Sequence, residues 1–339
     1  MKTKKAFYFT LIVLFCIILL MLISFQVKRE YTSEGMKTRI ITVNNFIKGT
    51  ERDASRAVYI SSYRTLVSVT DYVASKRSYV KGNVNGHAIT LNGVFADALF
   101  NGSLNYSLGF PEAQGILTNT TLKDWQNRTQ SLARATNLQL NFSEINPDEL
   151  FVTQRPDDPW NLIISIPIQY NITDPISKVY WERNTQINTT LPLINTFEDP
   201  LYLIEFGSAC GTKIKNGENL MPLVGQPSGC DLTNITAFFN TGQTGSRYIQ
   251  SKKSPSYIDR LIGNLTCYRE KTCENDNVGI VSLVNAISPI CELEYNLSSS
   301  VVDFKYHQVN GQSLIQGSGW ILLDSGDITE FGIPSGCYT

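Results

Sequence analysis

Histidine is scarce in this chain, and so is charge. The 339 residues include two His, His87 and His307, which leaves almost no material for a His-dependent triad or a two-His metal site. Charged residues make up 17% of the chain, against about 25% in an average soluble domain. The net charge is -1. A chain without a basic footprint predicts no nucleic-acid partner.

The common catalytic and metal-binding motifs are also missing. No Cys-x-x-Cys pair occurs, and Gly317-Ser318-Gly319 lacks the spacing of a nucleophile elbow. The segment Gly242 to Gly245 lacks the Lys-Ser/Thr ending of a phosphate loop. We therefore predict no catalytic residue, no cofactor, no metal and no enzyme. A glycosidase-type carboxylate pair stays open as an alternative, because such pairs are assembled in space and leave no spacing in the sequence.

The chain has one long apolar run, at its N-terminus. After Met1 and a basic segment, the run extends from Ala6 to Val27 and ends at Lys28-Arg29. At about 1.5 Å per residue, these 22 residues reach roughly 33 Å and can cross a hydrocarbon core of about 30 Å. The run predicts residues 1–5 as a cytoplasmic leader and residues 6–27 as a transmembrane anchor in the lipid bilayer.

The orientation of this anchor follows from the charges around it. Lys2, Lys4 and Lys5 precede the run, whereas Glu30 and Glu34 offset the positive charges that follow it. The positive-inside bias predicts a cytoplasmic N-terminus and an extracellular remainder. A cleaved secretory signal is the alternative, but its apolar region is usually about 7 to 15 residues long and followed by a small-x-small site, which this chain lacks.

Proline is absent before Pro111, and the pattern of residues 28–80 is that of one long amphipathic helix. Gly49 interrupts the pattern and marks a point where the helix could bend. A stripe of this length must be covered, either by the folded ectodomain or by copies of the same helix through self-association. For the distal half, Thr50 to Val80, we favour the ectodomain. The stripe consists of Met36, Ile40, Val43, Ile47, Ala54, Val58, Ser61, Leu66, Val69 and Val73.

Residues 81–207 predict a helix beside an antiparallel sheet. Thr121 and Asp124 form a capping pattern ahead of a helix that ends near Asn137. The pattern then changes to a period of two, which predicts strands. These are Leu138 to Phe142, Leu150 to Gln154, Trp160 to Asn171, Ser177 to Trp181, Thr189 to Ile194 and Leu201 to Phe206. The fold class is α+β, with a mainly antiparallel β ectodomain.

Cysteine is confined to two regions. Cys16 lies within the apolar run, and six others lie in residues 208–339, which we predict to be a disulfide-stapled C-terminal part. Six Cys allow 15 pairings, and the order along the chain favours neighbours pairing with each other. The predicted pairs of neighbours are Cys210 with Cys230, Cys267 with Cys273, and Cys291 with Cys337.

Neutral polar residues replace the missing charges. The chain has 27 Asn, 29 Ser and 29 Thr, and chance would give about four or five Asn-x-Ser/Thr sequons where ten occur. This excess predicts an extracellular glycoprotein. The alternative is that these residues mark turns and caps. The sequon residues are Asn101, Asn105, Asn119, Asn127, Asn141, Asn171, Asn188, Asn234, Asn264 and Asn296.

Aromatic residues give one further candidate function. The 16 Tyr and 16 Phe are expected mainly in the core. Among the four Trp, the first candidates for stacking on a sugar are Trp125, Trp160 and Trp181.

The N-terminus resembles that of type IV pilins and related archaeal pilin-like proteins. Lys4-Lys5-Ala6 followed by Phe7 and an apolar helix carries the resemblance, which covers about 75 residues. In that family a peptidase removes a short basic leader and the helices pack in a filament core, which implies a cut between Ala6 and Phe7. Bacterial pilins usually have Gly before the cut and Glu five residues after it, whereas this chain has Ala6 and Leu11.

Three segments also resemble single-anchor surface proteins of archaea with small genomes, which implies a cell-surface location. They are Glu51-Arg52-Asp53 to Tyr72, Gln154 to Trp160 and Ser256 to Asn285. Taken together, the sequence predicts a membrane-anchored structural or adhesive surface glycoprotein. A ligand-sensing ectodomain that works with a membrane partner, and a surface hydrolase, remain the alternatives.

Overall fold

The structure is a computed structural model with an α+β fold, in which a long N-terminal helix packs on an antiparallel sheet. It describes residues 2–84, 87–155, 157–206, 213–216, 247–251, 255–265 and 279–283. For residues 2–12, 25–34, 82–84, 87–89, 106, 114, 147, 205–206, 247, 249, 251 and 281–283 it describes the backbone alone.

Helix α1 runs without interruption from Lys2 to Lys76, through Gly49. Its 75 residues correspond to a length of roughly 110 Å. Within the part of the chain that the structure describes, no helix combines the length and the apolar character needed to cross a membrane. Of the predicted anchor, residues 6–27, the side chains of 13–24 are described.

The two halves of α1 differ in what surrounds them. All twelve residues of 13–24 are exposed, whereas burial begins at Val43 and recurs to Val73. Eight members of the predicted stripe are buried in the core, and the two exposed members, Met36 and Ile40, lie ahead of Val43. The body of the protein therefore covers the distal half of the helix, as the apolar pattern predicts.

Short elements connect α1 to the sheet. Helix α5 begins after a capping box in which Thr121 and Asp124 exchange side-chain and backbone hydrogen bonds, as the sequence predicts. In order, the elements are β1 Gly82–Val84, β2 His87–Ile89, α2 Leu91–Ala96, a π-helical turn Asp97–Asn101, α3 Asn105–Leu108, a 3-10 turn Pro111–Ala113, α4 Gln114–Leu117 and α5 Leu122–Ala135.

The sheet is built around its longest strand, β5. Strand β6 pairs along one edge of β5, over residues 161–174. Strands β3 and β4 pair with residues 170–173 and 158–165 of β5, so they share its other edge end to end. All these pairs are antiparallel, and the strands are β3 Gln139–Phe142, β4 Phe151–Arg155, β5 Asp158–Asp174 and β6 Val179–Pro192, with a 3-10 turn Pro147–Glu149 before β4.

Two strand predictions were wrong. The two strands expected at Ser177–Trp181 and Thr189–Ile194 are one strand, β6, because pairing with β5 continues through the polar residues between them. The expected strand Leu201–Phe206 is helix α6, Pro200–Phe206. Asp199 accepts a hydrogen bond from the Leu201 N–H at 2.9 Å, and Pro200 takes the first helical position, which is a helix start.

The described C-terminal segments share the core of the N-terminal part. They comprise β7 Lys215–Asn216, β8 Arg247–Ser251, helix α7 Tyr257–Ile262 and β9 Gly279–Leu283. The buried guanidinium of Arg260 donates to Asp199 at 2.5 Å and also to the backbone oxygen of Ile280. The ion pair joins α7 to the start of α6, and the hydrogen bond to Ile280 joins α7 to β9. The side-chain oxygen of Gln154 accepts from the Ile258 N–H at 3.1 Å and ties α7 to the sheet.

A second ion pair fixes the point where α1 meets the body. Arg39 donates from Nε to Asp174 at 2.9 Å and from Nη2 to the backbone oxygens of Thr136 and Asn137. The Asp174 carboxylate also accepts from the Ser177 hydroxyl at 2.7 Å. We call Arg39 and Asp174 the helix clamp, because they bind α1 both to the end of β5 and to the end of α5.

Candidate functional site

Strand β5 divides its residues between two faces. The even-numbered residues from Trp160 to Asp174 are all buried, whereas the odd-numbered residues from Asn161 to Thr173 are partly or fully exposed. This alternation follows from the pleat of a strand, on which successive side chains point to opposite faces. The inner face packs in the core with α1, and the outer face is partly or fully exposed.

The outer face is lined by amides and hydroxyls with few charges. Strand β6 continues the pattern, since its residues in register with the odd-numbered positions of β5 are exposed. We call this surface the amide face. Its polar members are Asn141 on β3, Asn161, Ser165, Gln169, Asn171 and Thr173 on β5, and Glu182, Asn184, Gln186, Asn188 and Thr190 on β6.

Side chains of the amide face bind one another across the strands. The Gln186 amide donates to the Ser165 hydroxyl at 2.6 Å, and this hydroxyl donates to the Asn188 amide oxygen at 2.6 Å. Asn141 donates from Nδ2 to the Asn171 amide oxygen at 3.4 Å. These cross-strand hydrogen bonds hold the polar groups in place. Most hydrogen-bond donors and acceptors of the face are neutral, whereas a surface that binds ions would carry charged groups.

The sequons of the described residues all lie at the surface. Eight of the ten predicted asparagines are described, six of them exposed and two, Asn171 and Asn264, half-buried. Three belong to the amide face, namely Asn141, Asn171 and Asn188. Asn234 and Asn296 lie outside the described residues. The exposed six are Asn101, Asn105, Asn119, Asn127, Asn141 and Asn188.

The tryptophans proposed to stack on sugars pack in or against the core. Trp125 is 2% exposed and donates to Asp53 at 2.9 Å, and Trp160 is 8% exposed. Trp181 is partly buried against the core on the inner face. Buried ring faces cannot meet a sugar, so this prediction was wrong for Trp125 and Trp160.

Exposed aromatic rings occur elsewhere, on the outer face of the sheet. Tyr180 is 56% exposed and in register with Thr173, and Phe151 is 51% exposed and in register with Ser165. Both registers place these rings on the side of the amide face. The sequence could not identify these two rings, because the register of β4 and β6 against β5 decides the face on which they lie.

A groove of about 540 Å³ lies beside the sheet. It is within the size range of small-ligand sites, which is roughly 300–1,000 Å³. Phe100 and Ile145 form apolar parts of its wall, and Asn101, Lys123 and Glu144 contribute polar groups. The groove combines an apolar wall with a few polar groups and could hold a small polar molecule.

Titratable side chains gather where α1 approaches α6. Desolvation raises the pKa of Glu198, while the charge of Lys213 opposes the rise and that of Asp71 adds to it. Desolvation also raises the pKa of Asp71 and, together with the charge of Glu198, raises the pKa of Tyr202 to about 12. The surface-hydrolase alternative therefore has two candidate carboxyl groups here, Asp71 and Glu198.

The remaining predicted residues are placed as follows. Lys5, Ala6 and Phe7 lie in the first turns of α1, where the backbone alone is described. Cys16 is free and exposed on the same helix. The six predicted disulfide cysteines, Cys210, Cys230, Cys267, Cys273, Cys291 and Cys337, lie outside the described residues.

No family model, no curated protein and no solved structure matches the chain.

Proposed function

We propose that the protein is a single-pass, membrane-anchored structural or adhesive glycoprotein of the cell surface. The observation that carries the proposal is the exposed apolar surface of α1. Ten large apolar side chains between Val13 and Ile23 are exposed by 41% or more, with none of the described segments of the body covering them. Apolar surface of this extent is stable only when lipid or other protein covers it.

The proposed anchor is residues 6–27, with the N-terminus in the cytoplasm. The 16 residues from Lys28 to Val43 then form a helical stalk of about 24 Å, and burial in the body begins at its end. The stalk would hold the body clear of the membrane surface, with the sheet exposed to the medium. Such an arrangement suits a structural or adhesive role.

The surface sequons support the glycoprotein part of the proposal. A sugar can be attached only where the Asn side chain is accessible, and none of the eight described sequon asparagines is buried. Three of them lie on the amide face, whose neutral hydroxyl and amide groups resemble the surface of a sugar in their hydrogen bonding. We also propose that the six C-terminal cysteines form three disulfides, as an extracellular location favours.

A pilin-like filament is the second form of the same proposal. In a filament, the helices of other copies would cover the apolar run in place of lipid. The exposed residues Met36, Ile40 and Ile41 would extend this contact along the stalk. This form requires removal of the leader between Ala6 and Phe7. We favour the retained anchor, because Leu11 stands where bacterial pilins usually carry Glu.

A membrane-extraction experiment tests the anchor. Two arginines in the apolar run, Ile17→Arg with Leu20→Arg, should cost about 2.5–3.5 kcal/mol each for insertion. We expect the native protein to remain in membranes washed with alkaline carbonate and the double variant to appear in the supernatant. A protein that stays in the pellet with both arginines would contradict the anchor.

The matched control for this experiment lies on the same helix outside the proposed anchor. Met36 is 50% exposed and Ile41 is 52% exposed, and Met36→Arg with Ile41→Arg adds the same two charges at positions of similar exposure. We expect this variant to remain in the membrane pellet. Release of both variants would mean that extraction reports charge on the helix in general and would remove the support for a defined anchor.

The ligand-sensing ectodomain is a second candidate because of the groove. Asn101 lines the groove and is also a sequon. A glycan on Asn101 would occupy the rim and compete with any ligand, so peptide mapping separates the two functions. An unmodified Asn101 in a protein whose other exposed sequons are occupied would favour sensing.

A further inference from the structure

Two of the sequons face each other across a strand pair. Asn141 on β3 is directly in register with Asn171 on β5, and Asn141 Nδ2 donates to the Asn171 amide oxygen. In an antiparallel pair, side chains in direct register have Cβ atoms about 4.5–5.5 Å apart. The two atoms that would each bond to a sugar therefore belong to amides already in contact.

We propose that Asn141 and Asn171 form a single glycosylation site, which carries one N-linked glycan on either asparagine and never one on each. A sugar ring with its substituents is wider than the strand spacing of about 4.8 Å. Two rings starting from these amides would occupy the same volume above the sheet. This inference rests on the proposed glycoprotein function and concerns how two of its sequons share that function.

The other neighbours of the pair leave the second sugar little room to turn away. Asn171 is half-buried on the central strand, with Glu182 of β6 in register on its far side. A ring on Asn171 is thus confined between Glu182 and Asn141. Asn141 is exposed on β3, which pairs with β5 alone among the described strands, so its ring can lean away from the sheet.

The sequence allows a direct test, because one tryptic peptide holds both sequons. Trypsin cuts after Arg134 and Lys178, whereas Arg155 precedes Pro156 and resists cleavage. The mass of the peptide spanning 135–178, taken from the native protein of its own host, counts the glycans on the pair. We expect the peptide to carry one glycan. If the sites were independent, the doubly modified fraction would equal the product of the two single-site occupancies, and we expect it to lie at least tenfold below that product.

Three variants sharpen the test. In Asn141→Gln, the occupancy of Asn171 should rise, and in Asn171→Gln, that of Asn141 should rise. The control is Asn188→Gln on the same face, in register with Ser165 and about 20 Å along β5 from Asn171. It should leave the pair unchanged.

The outcomes separate this inference from the proposal on which it rests. A doubly modified peptide at the product of the two occupancies overturns the shared site and leaves the glycoprotein proposal intact. An unmodified pair in a protein with sugars on its other exposed sequons does the same. Unmodified asparagines at all ten sequons would overturn both.

Discussion

At the scale of single residues, the carboxylate of Asp174 holds more of the structure together than its position at the end of a strand suggests. It is fully buried and accepts hydrogen bonds from Arg39, Ser177 and the Ile176 N–H. These bonds, the one from Arg39 first, lower the pKa of Asp174 from 3.8 to about 2. Charge-assisted hydrogen bonds of this kind contribute about 1.5–3 kcal/mol each.

The lowered pKa predicts how the stability of the protein depends on pH. Because Asp174 ionises more readily in the folded state, its contribution is complete above pH 3.8 and is lost as the pH falls towards 2. We expect Asp174→Asn to reduce the free energy of unfolding by about 1.5–3 kcal/mol at neutral pH. The difference from the native protein should shrink below pH 3.8, as measured by thermal unfolding of the full chain in detergent.

The control for this measurement is Asp157, which is exposed in the turn before β5. Asp157→Asn removes the same charge without breaking the helix clamp and should change the free energy of unfolding by no more than about 0.5 kcal/mol. An Asp174→Asn protein as stable as this control at neutral pH would contradict the role of the clamp.

At the scale of secondary-structure elements, the end of helix α7 depends on one glycine. Gly263 caps α7 with a φ of +77°, in the left-handed region. A Cβ built on Gly263 would lie 2.7 Å from Cγ of Tyr79, so the close approach of α7 to the segment after α1 requires a residue without a side chain. The Val80 N–H donates to the Leu261 oxygen at 2.8 Å across the same junction.

A pair of glycine substitutions tests this junction. Gly263→Ala should lower the free energy of unfolding by about 2 kcal/mol or more, since the left-handed conformation alone costs a side-chain-bearing residue roughly 1–2 kcal/mol. Gly115→Ala, in helix α4 with open space around it, should be neutral or stabilising by up to about 1 kcal/mol. Denaturant unfolding measures both, and equal effects at the two positions would refute the packing argument.

Some elements of the fold could be predicted from short stretches of the sequence alone. The start of α5 was predicted correctly because Thr121 and Asp124 are three residues apart and bind each other. The apolar stripe of α1 predicted which of its residues are buried from Val43 onwards. Helix α6 was mistaken for a strand because apolar residues dominate Leu201–Phe206, whereas the signal that decides lies just before them, at Asp199-Pro200.

Features that join distant positions could not be predicted. Arg39 and Asp174 are 135 residues apart, and no local pattern in the sequence links them. The facing of Asn141 and Asn171 depends on the register of β3 against β5, which requires the pairing to be known. The prediction that Trp125 and Trp160 stack on a sugar was wrong for a related reason. The burial of a residue depends on the face of its helix or strand on which it lies, and the sequence did not show which face is buried.

At the scale of the whole molecule, three features support one account of a surface glycoprotein. An apolar segment of α1 is exposed, the same helix continues from it into the body, and the sheet of the body has a neutral polar face with sequons. The retained anchor and the pilin-like filament share all three features and differ in the first residues of the mature chain. Loss of the leader before Phe7 would favour the filament.

The central claim is that this chain is anchored in the membrane by its N-terminal helix and glycosylated outside it. The most direct test is the intact mass of the protein extracted from carbonate-washed membranes of its own host. We predict a chain that begins at Met1 or Lys2 and exceeds the unmodified mass of 37.9 kDa by the mass of several glycans. Recovery of the protein from the soluble fraction at its unmodified mass would contradict the account.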